Sequence, residues 1–278
     1  LQTLERRLYY LYSEREDQTD QPIFDTAELT FNYYQLFRET RFAGYDRLDD
    51  ANQVSVGLTS RFIDDQNGRN LLSASLGQIF YNKDREVRLG KLAPTQDEPS
   101  SNIAGDLLFT PTDKLDLRTS LTWDPHEDNL DSGFFQAGYT TNNGSIFNLG
   151  YAYRRNPILF NVVNVDTLPL TEEASVSSYL PLTNHWSVFA AMSYSVEDNI
   201  SVEDMVGVEY DSCCWMVRLV QLRYYNNVSG EVPDFSNPDL ERESTIQFQF
   251  VLKGMGGFGN RITNMMQDMI RGFEEREY

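Results

Sequence analysis

Every second side chain in several long stretches of this chain is apolar, and that period of two confines the chain to strands with one greasy face and one wet face. Leu115, Leu117, Thr119, Leu121 and Trp123 alternate with Lys114, Asp116, Arg118, Ser120 and Thr122. Phe147, Leu149, Tyr151 and Tyr153 alternate with Asn148, Gly150, Ala152 and Arg154. Ile246, Phe248, Phe250 and Leu252 alternate with Thr245, Gln247 and Gln249. Extended outward from these anchors, the pattern predicts about twelve strands, over residues 4–13, 53–64, 70–81, 102–109, 114–124, 132–140, 145–155, 171–180, 185–195, 201–210, 214–225 and 244–253. Many of these runs reach the roughly 9 to 11 residues that a tilted strand needs to cross a bilayer, whereas globular strands average nearer 5 or 6.

The links alternate in length. Short turns are expected at 64–70, 110–113, 141–144 (Thr-Asn-Asn-Gly, a hairpin signal) and 181–184, with longer links at 14–52, 82–101, 125–131, 156–170 and 226–243. A membrane barrel has this asymmetry, with short turns on one rim and long loops on the other, although the link at 196–200 is brief for its place. Aromatic residues gather near strand ends, among them Tyr9, Tyr10, Tyr12, Trp123, Trp186, Tyr210, Trp215, Tyr224 and Tyr225. That is the placement of an interfacial girdle. A soluble sandwich with a Tyr-rich core fits less well, because the rows that would face inward are too polar for a dry interior.

The 16 Tyr and 17 Phe are many for a chain of mean hydropathy -0.48. No run approaches the 18 or so apolar residues of a spanning helix, which excludes a helical membrane protein. A net charge of -19 argues against a nucleic-acid partner, since phosphate backbones bind basic surfaces. Acidic residues crowd into segments of loop composition, Glu14 to Asp25 early and Asp234 to Glu243 late; solvation explains them, and divalent-cation binding stays open. The opening Leu1-Gln2-Thr3 has neither an initiator Met nor a signal segment, so the chain is expected to be a fragment.

The last 25 or so residues lose the alternation. A glycine-rich break at 254–259 precedes Ile262, Met265, Met266, Met269, Ile270 and Phe273 at helical spacing. We expect a short amphipathic helix that packs on protein in preference to lipid. The chain thus divides into a barrel portion, 1–253, and a tail, 254–278. No catalytic motif is present, and His126 and His185 have no partner at metal-ligand spacing. No enzyme, metal or cofactor is expected. The only cysteines are the adjacent Cys213 and Cys214. Neighbouring Cα atoms lie about 3.8 Å apart, whereas disulfides prefer roughly 4.4 to 6.8 Å, so the pair bonds itself poorly. Either each bonds a cysteine outside this chain, or both are small buried residues of a reduced protein.

Several motifs resemble one family. Gln2-Thr3-Leu4-Glu5, Phe42-Ala43-Gly44-Tyr45-Asp46-Arg47, Ala51-Asn52-Gln53-Val54-Ser55-Val56-Gly57-Leu58-Thr59-Ser60-Arg61, Gly77-Gln78-Ile79-Phe80-Tyr81 and Gly207-Val208-Glu209-Tyr210-Asp211-Ser212-Cys213-Cys214 resemble the C-terminal barrel of the lipopolysaccharide-assembly outer-membrane family LptD, the organic solvent tolerance protein family. The resemblance implies part of a larger barrel in the bacterial outer membrane, plugged by a lipoprotein, LptE. Lipopolysaccharide would arrive over a periplasmic bridge through an N-terminal domain and leave sideways between the first and last barrel strands. It further implies that Thr245, Ile246, Gln247, Phe248, Gln249, Phe250, Val251 and Leu252 form the closing strand of that lateral gate, and that Cys213 and Cys214 bond two cysteines of the N-terminal region. The expected fold is therefore all-β, a partial antiparallel transmembrane barrel with a short C-terminal helix. A diffusion porin, a TonB-type receptor and an outer-membrane barrel hydrolase are the alternatives.

Overall fold

The alternation becomes a meander of antiparallel strands. A computed structural model describes residues 1–18, 20–89, 96–155, 171–225, 242–253, 256–258 and 261–274. The strands are β1 (Gln2–Ser13), β2 (Ala27–Glu28), β3 (Phe42–Ala43), β4 (Ala51–Ile63), β5 (Asn70–Tyr81), β6 (Ile103–Thr112), β7 (Leu115–Asp124), β8 (Asn129–Thr140), β9 (Ile146–Arg154), β10 (Thr171–Pro181), β11 (Trp186–Ser195), β12 (Ile200–Asp211), β13 (Trp215–Tyr225), β14 (Arg242–Leu252) and β15 (Gly256–Phe258). A 3-10 turn spans Tyr33–Phe37, and one helix, α1, spans Arg261–Met269. β2 and β3 pair only with each other; the other strands follow chain order in one sheet, β1-β4-β5 and so on to β14-β15. No described helix is long and apolar enough to cross a membrane.

All twelve expected strands are present, with ends within three residues of their expected places. Four elements were not expected: β2, β3, the 3-10 turn and β15. The break expected at 254–259 is corrected by β15, which turns back on β14 with Phe250 opposite Phe258 and Leu252 opposite Gly256. Ladder hydrogen bonds offered by the free edge of β14 outweigh the flexibility of the glycines there. The long link at 156–170, most of that at 226–243 and the last residues of the tail lie outside the described residues.

Two compact units are distinguishable. The first comprises Leu1–Thr112, Leu117–Phe135 and Tyr153–Thr171; the second comprises Asp113–Asp116, Gln136–Ala152 and Glu172–Tyr278. In the first unit the usual arrangement of a soluble sheet is inverted. Along β4, Gln53, Ser55 and Thr59 are buried while Val56, Leu58 and Phe62 are exposed. Leu4, Leu8, Tyr10 and Tyr12 of β1 are exposed on the same side, since Leu8 pairs with Val56 and Arg6 with Leu58. The second unit repeats the inversion. Phe147, Leu149, Val176, Val206, Leu219, Ile246 and Phe248 point outward, whereas Ser177, Ser187, Glu209, Asp211, Arg218 and Gln249 are buried.

Each unit covers part of its inner side with its own chain, where that side carries an apolar patch among its polar residues. In the second, α1 and the turn after it lie on the inner face. Ile262, Met266, Ile270 and Phe273 are buried against Ile146, Tyr179, Phe189, Ala191, Met205, Val220 and Leu222. Burying side chains of this size contributes about 1.5 to 3 kcal/mol apiece before the entropy of ordering them is subtracted. The helical stripe read from the sequence thus faces protein.

Candidate functional site

The last long strand, β14, is built by pairing on one side and by contrast between its faces. Its ladder with β13 runs from Arg242 opposite Tyr225 to Leu252 opposite Trp215. Ile246 is 74% exposed and Phe248 54% on the outer face, and Leu252 is exposed at the end of the strand. Thr245, Gln247 and Val251 are half-buried, as is the outward-facing Phe250, and Gln249 is fully buried on the inner face. On its other edge β14 is paired only from Phe250 to Leu252, with β15.

Behind β14 sits a dense polar cluster that alternation does not reveal. Arg218 Nε donates to Glu209 Oε2 at 2.6 Å, and its Nη1 donates to Gln249 Oε1 at 3.0 Å and Thr263 Oγ1 at 2.8 Å. Gln249 Nε2 donates to the same hydroxyl at 2.9 Å. Tyr179 completes Glu209, donating to its Oε1 at 2.8 Å. Arg218 and Glu209 are almost fully buried, so the pair holds only because its remaining donors and acceptors are met. These residues come from β10, β12, β13, β14 and α1, which is why no local motif announces them.

On the outer face of the second unit, near its short turns, aromatic rings form a row. Trp186 meets Tyr210 at 4.8 Å between centroids, Tyr210 meets Trp215 at 5.1 Å, and Trp215 meets Phe250 at 6.4 Å. One neighbour of the row is His185, which stacks on Tyr210 and whose ring bonds the carbonyl of Asp211. The other histidine, His126, pairs with Glu98 and Ser100. Among the described residues, no three His, Cys, Asp or Glu side chains group as a metal ion requires.

The cysteines occupy the short turn between β12 and β13, with Ser212 bonded to Trp215 and Lys253 to Cys214 through the backbone. Both side chains are exposed and neither is in a disulfide, which counts against the reading of two buried residues. Their sulfurs lie 2.8 Å apart. The hydrogen bond from Cys214, with help from Ser212 and the Lys253 charge, holds the Cys213 thiol below its usual pKa. The same bond pushes Cys214 up.

Sequence reasoning missed the role of the link from β1 to β4. It folds back over the inner face of β4, β5 and β6, burying Tyr33 and Leu36 against Ile79 and Ala104. Tyr33 Oη lies 2.9 Å from Thr59 Oγ1. Two glycines make room: a Cβ on Gly57 would stand 2.6 Å from the Phe37 ring, and one on Gly77 would stand 2.6 Å from Leu36. Farther along the link, the Asp46 carboxylate accepts from the backbone N–H of Phe24 and Asp25 at 2.8 Å. Those bonds bring its pKa down to about 2, while hydrogen bonding to Asp46 and its charge raise Asp25.

Residues 1–186 match the family model LptD, described as LPS transport system D. The chain is 35% identical to the LPS-assembly protein LptD of Nitrosococcus oceani, over 98% of this chain and 34% of that protein. It is equally close to the proteins of the same name from Hahella chejuensis, with 99% of this chain and 32% of that protein covered, and Xanthomonas campestris pv. campestris, with 98% and 32%. The chain spans about a third of the length of these relatives. A family match over two units whose apolar sides face outward and whose polar sides face inward leads to one conclusion: this chain belongs to the LptD family.

Proposed function

We propose that this chain is part of the barrel wall of an outer-membrane translocon that delivers lipopolysaccharide to the outer leaflet, without bond-making chemistry. The observation that carries the reading is the inverted distribution of side chains, with exposed Leu8, Leu149 and Phe248 and buried Gln53, Arg218 and Gln249, in a chain of the LptD family. Such a sheet is stable where hydrocarbon meets the apolar side and water or a plug meets the polar side. The aromatic row of Trp186, Tyr210 and Trp215 has the character of a headgroup girdle.

In this reading β14, from Thr245 to Leu252, is the closing strand of a lateral gate. The part of its edge that β15 leaves uncovered, 245–249, is a row of N–H and C=O groups that hydrocarbon cannot satisfy, so it needs a strand from elsewhere in the barrel. The exposed Cys213 and Cys214 bond cysteines outside this chain, fastening the short-turn rim to a periplasmic domain. The lipoprotein LptE plugs the lumen, and the transport bridge delivers lipopolysaccharide through the N-terminal domain. Depleting the full-length protein should strip newly made lipopolysaccharide from the cell surface; normal surface lipopolysaccharide would overturn the reading. For the tether, non-reducing gels should show a mobility shift that disappears in the Cys213→Ser, Cys214→Ser double variant.

A further inference from the structure

α1 touches the seam strand at a polar point inside an otherwise apolar dock. Thr263, 4% exposed, presents its hydroxyl to both Gln249 of β14 and Arg218 of β13. Ile262, Met266 and Ile270 make the apolar contacts of the helix on the inner face. They do not require a shared hydroxyl at this place. The hydroxyl ties the helix to the one inner-face side chain of β14 that is fully buried, Gln249. The route into the helix matters too. β15 covers the edge of β14 at Phe250, Val251 and Leu252, and among the described residues no ladder on that edge reaches 244–249. The tail therefore treats the two ends of β14 differently: its ladder lies at the end beside the short turns and stops short of the end beside the long link.

We propose that the C-terminal tail is the positioning element of the seam strand. α1 holds β14 against β13 through Thr263, Gln249 and Arg218, and β15 closes the short-turn end of the free edge. Only residues 244–249 are then available to part from a neighbouring strand and rejoin it. A substrate leaving through such a seam departs toward the rim that carries the long links. Thr263 and Gln249 act through the strand and touch no substrate. This proposal rests on the gate reading of β14 for its purpose, but the coupling of α1 to the strand stands on the contacts themselves.

The test is hydrogen–deuterium exchange on the full-length protein in lipid nanodiscs, comparing wild type with Thr263→Val, Thr263→Ser and Met266→Asp. Thr263→Val keeps the volume and removes the hydroxyl. Amides of residues 244–249 should exchange on the order of tenfold faster, the effect of losing about one net hydrogen bond, while β11 and β12 stay as protected as in wild type. Thr263→Ser restores the hydroxyl and should restore protection. Met266→Asp places a charge in the apolar dock and should release helix and strand together. Unchanged exchange over 244–249 in Thr263→Val overturns the proposal, as does equal loosening of β11 and β12, which would mark a general loss of packing. Should the strand loosen while lipopolysaccharide export continues at the wild-type rate, the positioning role stands and the gate reading fails.

Discussion

At the residue scale, the least legible part of the molecule is also the most constrained. Arg218 and Glu209 read in the sequence as ordinary members of a wet row. Their partners Tyr179, Gln249 and Thr263 are 30 to 45 residues away, and no spacing rule links them. Removing one charge of a buried pair leaves the other uncompensated, at a cost of about 3 to 5 kcal/mol, whereas replacing both by neutral groups of similar volume is often tolerated. Arg218→Met should therefore lower the temperature at which the folded form is lost in heat-modifiability gels, and Arg218→Met combined with Glu209→Gln should recover most of the loss. A double variant no better than the single would show that the cluster contributes through shape alone. Asp46 supplies a second test, in a link outside the spanning strands. Its carboxyl is held near 2, below the ordinary 3.8. The stabilisation is complete above 3.8 and disappears as pH falls through about 2, while the raised Asp25 works in the opposite sense by favouring its own protonated form. Pepsin should cut the 24–46 segment slowly at pH 4 and progressively faster toward pH 2. In Asp46→Ala it should already be cut at pH 4.

At the element scale, the strands were the legible part. A strand with hydrocarbon on one side and polar groups on the other repeats its contrast over ten or so residues, so one slipped residue would put the whole set on the wrong face. This is why β5 and β7 fall within a residue of their expected ends. The link at 14–50 carries no such repeat. Tyr33, Leu36 and Phe37 look like scattered loop apolars until the notches at Gly57 and Gly77 are known, and these lie in two other strands. A side chain at either glycine meets a ring or a leucine at 2.6 Å, and overpacking of this kind costs about 1 to 3 kcal/mol. Gly57→Val should unseat the 3-10 turn without unpairing β4 from β5, whereas a side chain at Gly77 also meets the backbone carbonyl of Val56 at 2.6 Å, so Gly77→Val should disturb the ladder as well. In Gly57→Val, proteolysis within 29–41 should rise while the folded barrel band persists on gels. β15 was missed for a related reason: Gly256-Gly257-Phe258 has no pattern of its own and becomes a strand because a free edge lies within reach.

At the scale of the whole molecule, the decisive quantity is which side of each strand meets an apolar solvent. A soluble sandwich also alternates, and sequence periodicity alone cannot say whether the greasy face is turned in or out. The structure can, because Leu149 is 58% exposed while the neighbouring inner-face residue Asn148 is tied to the carbonyl of Arg271. That difference sets up an experiment in which two readings predict opposite results. In water, an arginine at an exposed leucine is nearly free, since surface substitutions fall within about 0.5 kcal/mol. In a bilayer, an arginine on the lipid side near the midplane costs about 2 to 4 kcal/mol, while lumen-side substitutions are tolerated. Leu149→Arg should therefore lower the folded-to-unfolded equilibrium constant measured in lipid vesicles by a factor of roughly 30 or more, by the free energy just given. Gln136→Arg supplies the control. Its side chain lines a cavity of about 310 Å³ on the inner face of the same unit, where Asp268 and Glu203 outnumber the one resident cation, Arg271. It should fold as wild type does. Equal folding of the two variants would mean that the outer face never meets hydrocarbon, and the barrel reading would fall with it.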